Sequence, residues 1–72
     1  MELNKEYIIL FEPDEDGWTA SVPDLPGCLS DGDSFESAES NIRTAIQLWI
    51  ETAKENGWQI PEPKARIERF AV

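Results

Sequence analysis

The 72-residue chain contains no histidine. That removes the side chain that most often moves protons near neutral pH, and with it the commonest metal ligand. There is a single cysteine, Cys28, so no disulfide can close within the chain. A zinc site would have to be built from one thiolate and carboxylates, a poor match to the ligand sets zinc takes. Cys28 has neither a CxxC neighbour nor a histidine partner and reads as a small buried apolar side chain rather than a nucleophile. Basic residues are scarce too: six against fifteen acidic, a formal charge of −9. Such a surface repels phosphate backbones and anionic lipid heads, which argues against direct binding to nucleic acid or membrane. No apolar run approaches a membrane span or a signal-peptide core. Strand pattern begins almost directly after Met1-Glu2-Leu3-Asn4-Lys5, so the expectation is a cytoplasmic protein without a leader. Glycine-rich phosphate loops, internal repeats and low-complexity tracts are also missing.

What is present suffices for one folded domain spanning residues 1–72. Apolar residues make up 40% of the chain, with three Trp, three Phe and one Tyr. A chain of this length buries only about 60% of the surface it exposes when unfolded, so association into a homo-oligomer is an expected supplement. Charge is unevenly placed. Glu12, Asp14, Glu15, Asp16, Asp24, Asp31, Asp33, Glu36 and Glu39 fall in one stretch that holds no Lys or Arg, whereas Lys64, Arg66 and Arg69 gather near the C-terminus. Two readings stand at this point: carboxylates that only keep loops soluble, or a surface for a basic partner.

The local pattern predicts the order β-β-β-α-β. Tyr7–Phe11 is β-branched and aromatic with apolar residues at both parities, which reads as a central strand covered on both faces. Pro13-Asp14-Glu15-Asp16-Gly17 supplies turn chemistry for a hairpin. Trp18–Val22 alternates, placing Trp18, Ala20 and Val22 on the core side. Val22-Pro23-Asp24-Leu25-Pro26-Gly27-Cys28 should form a stiff shaped turn, because its prolines fix φ and its glycine permits values other residues avoid. Cys28–Asp31 reads as a third strand. Ser34 is a helix cap, and a helix follows over Phe35–Asn56 with Phe35, Ala38, Ile42, Ala45, Ile46, Trp49, Ile50 and Ala53 in one stripe. Leu48 projects outside that stripe, either as an ordinary lone exposed leucine or as an oligomer contact. Asn56-Gly57 ends the helix, Pro61 and Pro63 enforce an extended connector, and Lys64–Phe70 suits a charged edge strand.

Catalysis finds little support. Asp14, Asp16, Asp31 and Asp33 could attract Mg²⁺, but the Pro-Asp-Glu-Asp-Gly segment lacks the loop length and distal Glu of a calcium hand. A two-metal nuclease needs carboxylates projecting from rigid strands at one centre, and the first strand interior is apolar. The expectation is a non-enzymatic chain without cofactor or metal; a carboxylate-metal hydrolase is the weaker alternative.

The stretch Gly17-Trp18-Thr19-Ala20-Ser21-Val22-Pro23-Asp24-Leu25-Pro26-Gly27-Cys28, followed by Gly32-Asp33-Ser34 and an amphipathic helix, resembles the HicB family of antitoxins. The resemblance continues through Trp49-Ile50-Glu51 and Gly57-Trp58-Gln59-Ile60-Pro61-Glu62-Pro63. It implies a small α+β domain, a partial ribonuclease-H-like fold without nuclease activity, with an antiparallel sheet packed on one long helix. It further implies an antitoxin that binds and silences a small basic HicA-like toxin which cleaves messenger RNA. The expected contact set for that partner is Asp14, Glu15, Asp16, Asp24, Asp31 and Asp33. Family members often add a C-terminal DNA-binding domain, and the sequence at hand shows none, so operator contact is not expected. The alternative is a stand-alone oligomeric ligand-binding or scaffold domain with no toxin partner.

Overall fold

The computed structural model describes residues 5–72. Met1–Asn4, on which the expectation of a leaderless start rests, lie outside the described residues. Strands β1 (Leu10–Asp14), β2 (Gly17–Ser21) and β3 (Leu29–Gly32) precede a single helix, α1 (Phe35–Asn56). The strands form one antiparallel sheet in the order β1-β2-β3, and α1 packs against β2 and β3. This is a small α+β domain.

Register follows from the turn chemistry. Asp14 pairs with Gly17 across a two-residue turn, and the Asp14 carboxylate accepts a hydrogen bond from the Asp16 N–H at 3.0 Å. That local bond mimics a backbone turn and fixes the hairpin. Phe11 then lies opposite Ala20, and Ala20 opposite Ser30. The core side of the sheet therefore carries Phe11 and Ala20, while Leu10, Thr19 and Leu29 fall on the other parity. Ala20, Val22, Leu25, Cys28 and Ile42 form the buried centre, with Tyr7, Ile9, Phe11, Ala45, Ile46 and Trp49 packed around it.

The proline-rich link between β2 and β3 is two consecutive turns. Leu25 N–H donates to the Val22 carbonyl at 3.0 Å, Cys28 N–H donates to the Leu25 carbonyl at 3.0 Å, and Val22 N–H donates to the Cys28 carbonyl at 3.1 Å. Pro26 occupies the position where a fixed φ is favourable, and Gly27 follows with φ of 78°, which only glycine adopts without strain. The geometry turns Val22, Leu25 and Cys28 inward and gives the N–H of each a carbonyl acceptor within the link. Trp49 Nε1 donates to the Pro26 carbonyl at 2.9 Å, tying the link to the helix.

The helix spans the residues its pattern predicts. Ser34 Oγ accepts from Ser37 N–H at 3.0 Å at the N-terminus, and Gly57 in the left-handed region closes the C-terminus. Ala38, Ile42 and Ala53 are buried, and Leu48 is exposed as its angular position requires.

Two expectations are corrected. β1 is not a central strand over Tyr7–Phe11: regular pairing begins at Leu10, and β1 is an edge of the sheet. Tyr7, Ile9 and Phe11 turn to the core whereas Leu10 is exposed, so the run is apolar at both parities without being covered on both faces. The second correction explains the first. No strand forms over Lys64–Phe70, and without it nothing pairs with the outer side of β1. That segment instead continues as an extended arm. It is pinned where Tyr7 Oη donates to the Pro61 carbonyl, where Lys5 meets Glu62, and where Asp24 Oδ2 accepts from Lys64 N–H at 3.0 Å and Ala65 N–H at 2.9 Å.

Candidate protein-binding site

The hairpin tip, the end of β3 and the first turns of α1 meet at one end of the sheet. They enclose an open cleft of about 760 Å³ lined by Asp14, Glu15, Asp16, Trp18, Asp31, Gly32, Asp33, Ser37 and Asn41. Gly32 makes this meeting possible. A Cβ placed on it would lie 2.4 Å from the Ala38 nitrogen, so only glycine lets the helix start sit directly on the strand end. Asn41 Nδ2 donates to the Asp31 carbonyl at 2.8 Å, fastening β3 to the second turn of α1. Phe35, at the helix start, packs on Phe11 with ring centroids 4.6 Å apart and on Trp18 at 5.5 Å in an edge-to-face arrangement. Of this aromatic trio Trp18 reaches the cleft lining, and its packing on Phe35 ties the hairpin to the helix start.

Five of the six expected partner-binding residues are thus brought together: Asp14, Glu15, Asp16, Asp31 and Asp33 all line the cleft. Asp24 is placed elsewhere, with its carboxylate directed to the backbone of the C-terminal arm. The ion pairs among the described residues are Lys5–Glu62 and Arg43–Glu39, so none of the five cleft carboxylates has a cationic partner there. Sequence reasoning did not single out Trp18, Ser37 or Asn41 as cleft residues. For Ser37 and Asn41 the signal is the helical period, since they lie four apart and so share a face.

Chemically, the cleft offers acceptors. Ionised carboxylates take hydrogen bonds from guanidinium and ammonium groups, Arg in bidentate fashion, and Trp18 supplies an aromatic face of the kind that attracts cations. Among the described residues no group of three or more His, Cys, Asp or Glu side chains is arranged to hold a metal ion. Cys28 is buried, and burial pushes its thiol up from the ordinary value, away from the reactive thiolate. No described helix is long and apolar enough to cross a membrane.

Residues 7–71 match the family of HicB-like antitoxins of bacterial toxin-antitoxin systems. The chain belongs to that family. Among its relatives is Antitoxin HicB 2 of Photorhabdus laumondii, 34% identical over 70 residues, which cover 97% of this chain and 50% of that protein. An uncharacterised 14.9 kDa protein of Haemophilus phage HP1 is 41% identical over 64 residues, 89% of this chain and 47% of the phage protein. The UPF0150 protein Ta0767 of Thermoplasma acidophilum is 38% identical over 61 residues, 83% of this chain and 88% of that relative. The HicB-like chain therefore spans about half of the two longer relatives and most of the archaeal one. Membership in an antitoxin family suggests a regulatory rather than an enzymatic role.

Proposed function

We propose that this HicB-like domain is the toxin-binding part of a type II toxin-antitoxin pair, and that it masks a small, basic, HicA-like RNA-cleaving toxin by seating its cations in the acidic cleft. The observation that carries the reading is the convergence of Asp14, Glu15, Asp16, Asp31 and Asp33 on one concave surface, where none of them has a cationic partner among the described residues. A ribonuclease must present positive charge to the phosphate backbone of its substrate. A surface that satisfies those same cations competes with RNA directly, and complementary potentials speed encounter while penalising wrong partners. Masking of this kind uses no covalent chemistry and no cofactor, in keeping with a chain that lacks histidine.

The test is to mix the chain with a small basic HicA-like ribonuclease and follow RNA cleavage. Stoichiometric suppression is expected, weakened at least about tenfold by charge reversal at Asp14, Glu15 and Asp16 and progressively by added salt. Suppression that the reversal leaves unchanged removes the cleft from the reading. If no basic partner binds at all, the stand-alone scaffold reading takes its place.

A further inference from the structure

A second surface is apolar rather than charged. Leu29 at the start of β3, Leu48 on the outer side of α1 and Trp58 just past the helix are 69%, 57% and 54% exposed. All three line one groove of about 270 Å³, floored by Cys28, Ala45 and Trp49. Three large apolar side chains sharing one concavity differ from the scattered exposed leucines of an ordinary surface. The C-terminal arm has the matching need. Ile67 and Phe70 are 70% and 83% exposed, so the arm leaves its apolar side chains uncovered by its own chain.

The base of the arm is anchored to the body of its own chain. Asp24 grips the backbone at Lys64 and Ala65, and Tyr7 and Lys5 hold Pro61 and Glu62. Residues 66–72 beyond these clips reach about 23 Å when extended, the length of an ordinary strand. The charges complement each other. Lys64, Arg66 and Arg69 make no ion pair among the described residues, while the exposed Glu51 and Glu55 stand three positions from Leu48 and Thr52, beside the groove.

We propose that residues 66–72 of one copy dock in the Leu29–Leu48–Trp58 groove of a second copy and receive the same contact in return, forming a two-fold dimer by exchange of arms. Each chain carries both halves of the contact, which is the condition for a self-complementary interface. Phe70 and Val72, two apart and so on one face of the extended arm, fill the groove, and Arg66 on that same face meets Glu51 and Glu55 of the partner copy. The interface lies on residues other than those of the acidic cleft, so it stands or falls separately from toxin masking.

The experiment is sedimentation of the purified full chain without any toxin. The wild-type chain is expected to be a dimer at micromolar concentration. Leu48→Glu, which spoils the groove, and Phe70→Glu, which spoils the arm, are each expected to be monomeric with unchanged helical circular dichroism, because both side chains are exposed in the single chain. Mixing the two variants should restore part of the dimer, since one intact groove then meets one intact arm. A monomeric wild type, dimers that survive both substitutions, or a mixture that recovers nothing would each overturn arm exchange.

Discussion

The indole of Trp49 donates its N–H to the carbonyl of Pro26 across 2.9 Å, joining the middle of the helix to the turn between β2 and β3. The bond crosses the most shaped loop of the chain and holds Leu25 beneath it in the core. Replacing Trp49 by Phe keeps most of the ring and removes the donor. The expected loss is about 1 kcal/mol, the net worth of one intramolecular hydrogen bond, plus a smaller packing cost. For a domain this small that is a fall of about 4–8 °C in Tm, measurable by thermal denaturation.

Gly32→Ala should be far more damaging than its single added methyl suggests. The new Cβ would meet the Ala38 nitrogen at 2.4 Å and the Ser37 carbonyl carbon at 2.8 Å, both backbone atoms that cannot swing aside. Relief requires lifting the helix start from β3, which also opens the cleft. We expect a stability loss of ~1–3 kcal/mol or more, as for overpacking elsewhere, together with weaker partner binding. Chemical denaturation and binding measured on the same variant check both parts.

These two residues also mark how much of the fold was legible in the sequence. The helix limits, the hairpin and the inward side of β2 follow from local pattern, because capping, turn and alternation signals act within a few residues. Leu48 was separable from the stripe by its angle alone. The true start and edge position of β1 were not legible, since an apolar run looks the same whether one or both faces are covered. Nor was the role of Asp24. Its partners lie 40 and 41 residues away, and a contact with backbone N–H groups leaves no mark on their side-chain pattern. Six carboxylates could be nominated for a common surface from the sequence, and only the fold separates Asp24 from the other five.

Asp24→Ala accordingly gives a local prediction. The N–H groups of Lys64 and Ala65 lose their acceptor, and the arm is released from the body. Amide hydrogen exchange at these two positions should accelerate by at least about fivefold, equivalent to the ~1 kcal/mol of an ordinary hydrogen bond. Exchange in the centre of α1 should stay as it is. Equal acceleration throughout would mean that Asp24 supports the whole fold rather than the arm.

The pH response has a definite sign. Burial raises the Tyr7 phenol above its ordinary value, outweighing the nearby Lys5 charge, so the folded state retains the proton that Tyr7 donates to Pro61. A folded-state pKa raised above the unfolded one gives stability that is complete below about pH 10 and lost as pH rises through the folded value. Tyr7→Phe should therefore flatten the alkaline limb of the stability profile. Burial likewise raises the Cys28 thiol, so alkylation by iodoacetamide at pH 8 should be slow in the native chain and fast once it is unfolded.

The central proposal, that the acidic cleft receives a basic toxin, is tested most directly by titrating a HicA-like toxin into isotopically labelled chain and mapping which amides shift. The account predicts the largest changes at residues 14–18 and 31–33 and at Ser37 and Asn41, the lining of the cleft. Changes confined to Leu29, Leu48, Trp58 and the C-terminal arm, with the cleft amides unmoved at saturation, would contradict it.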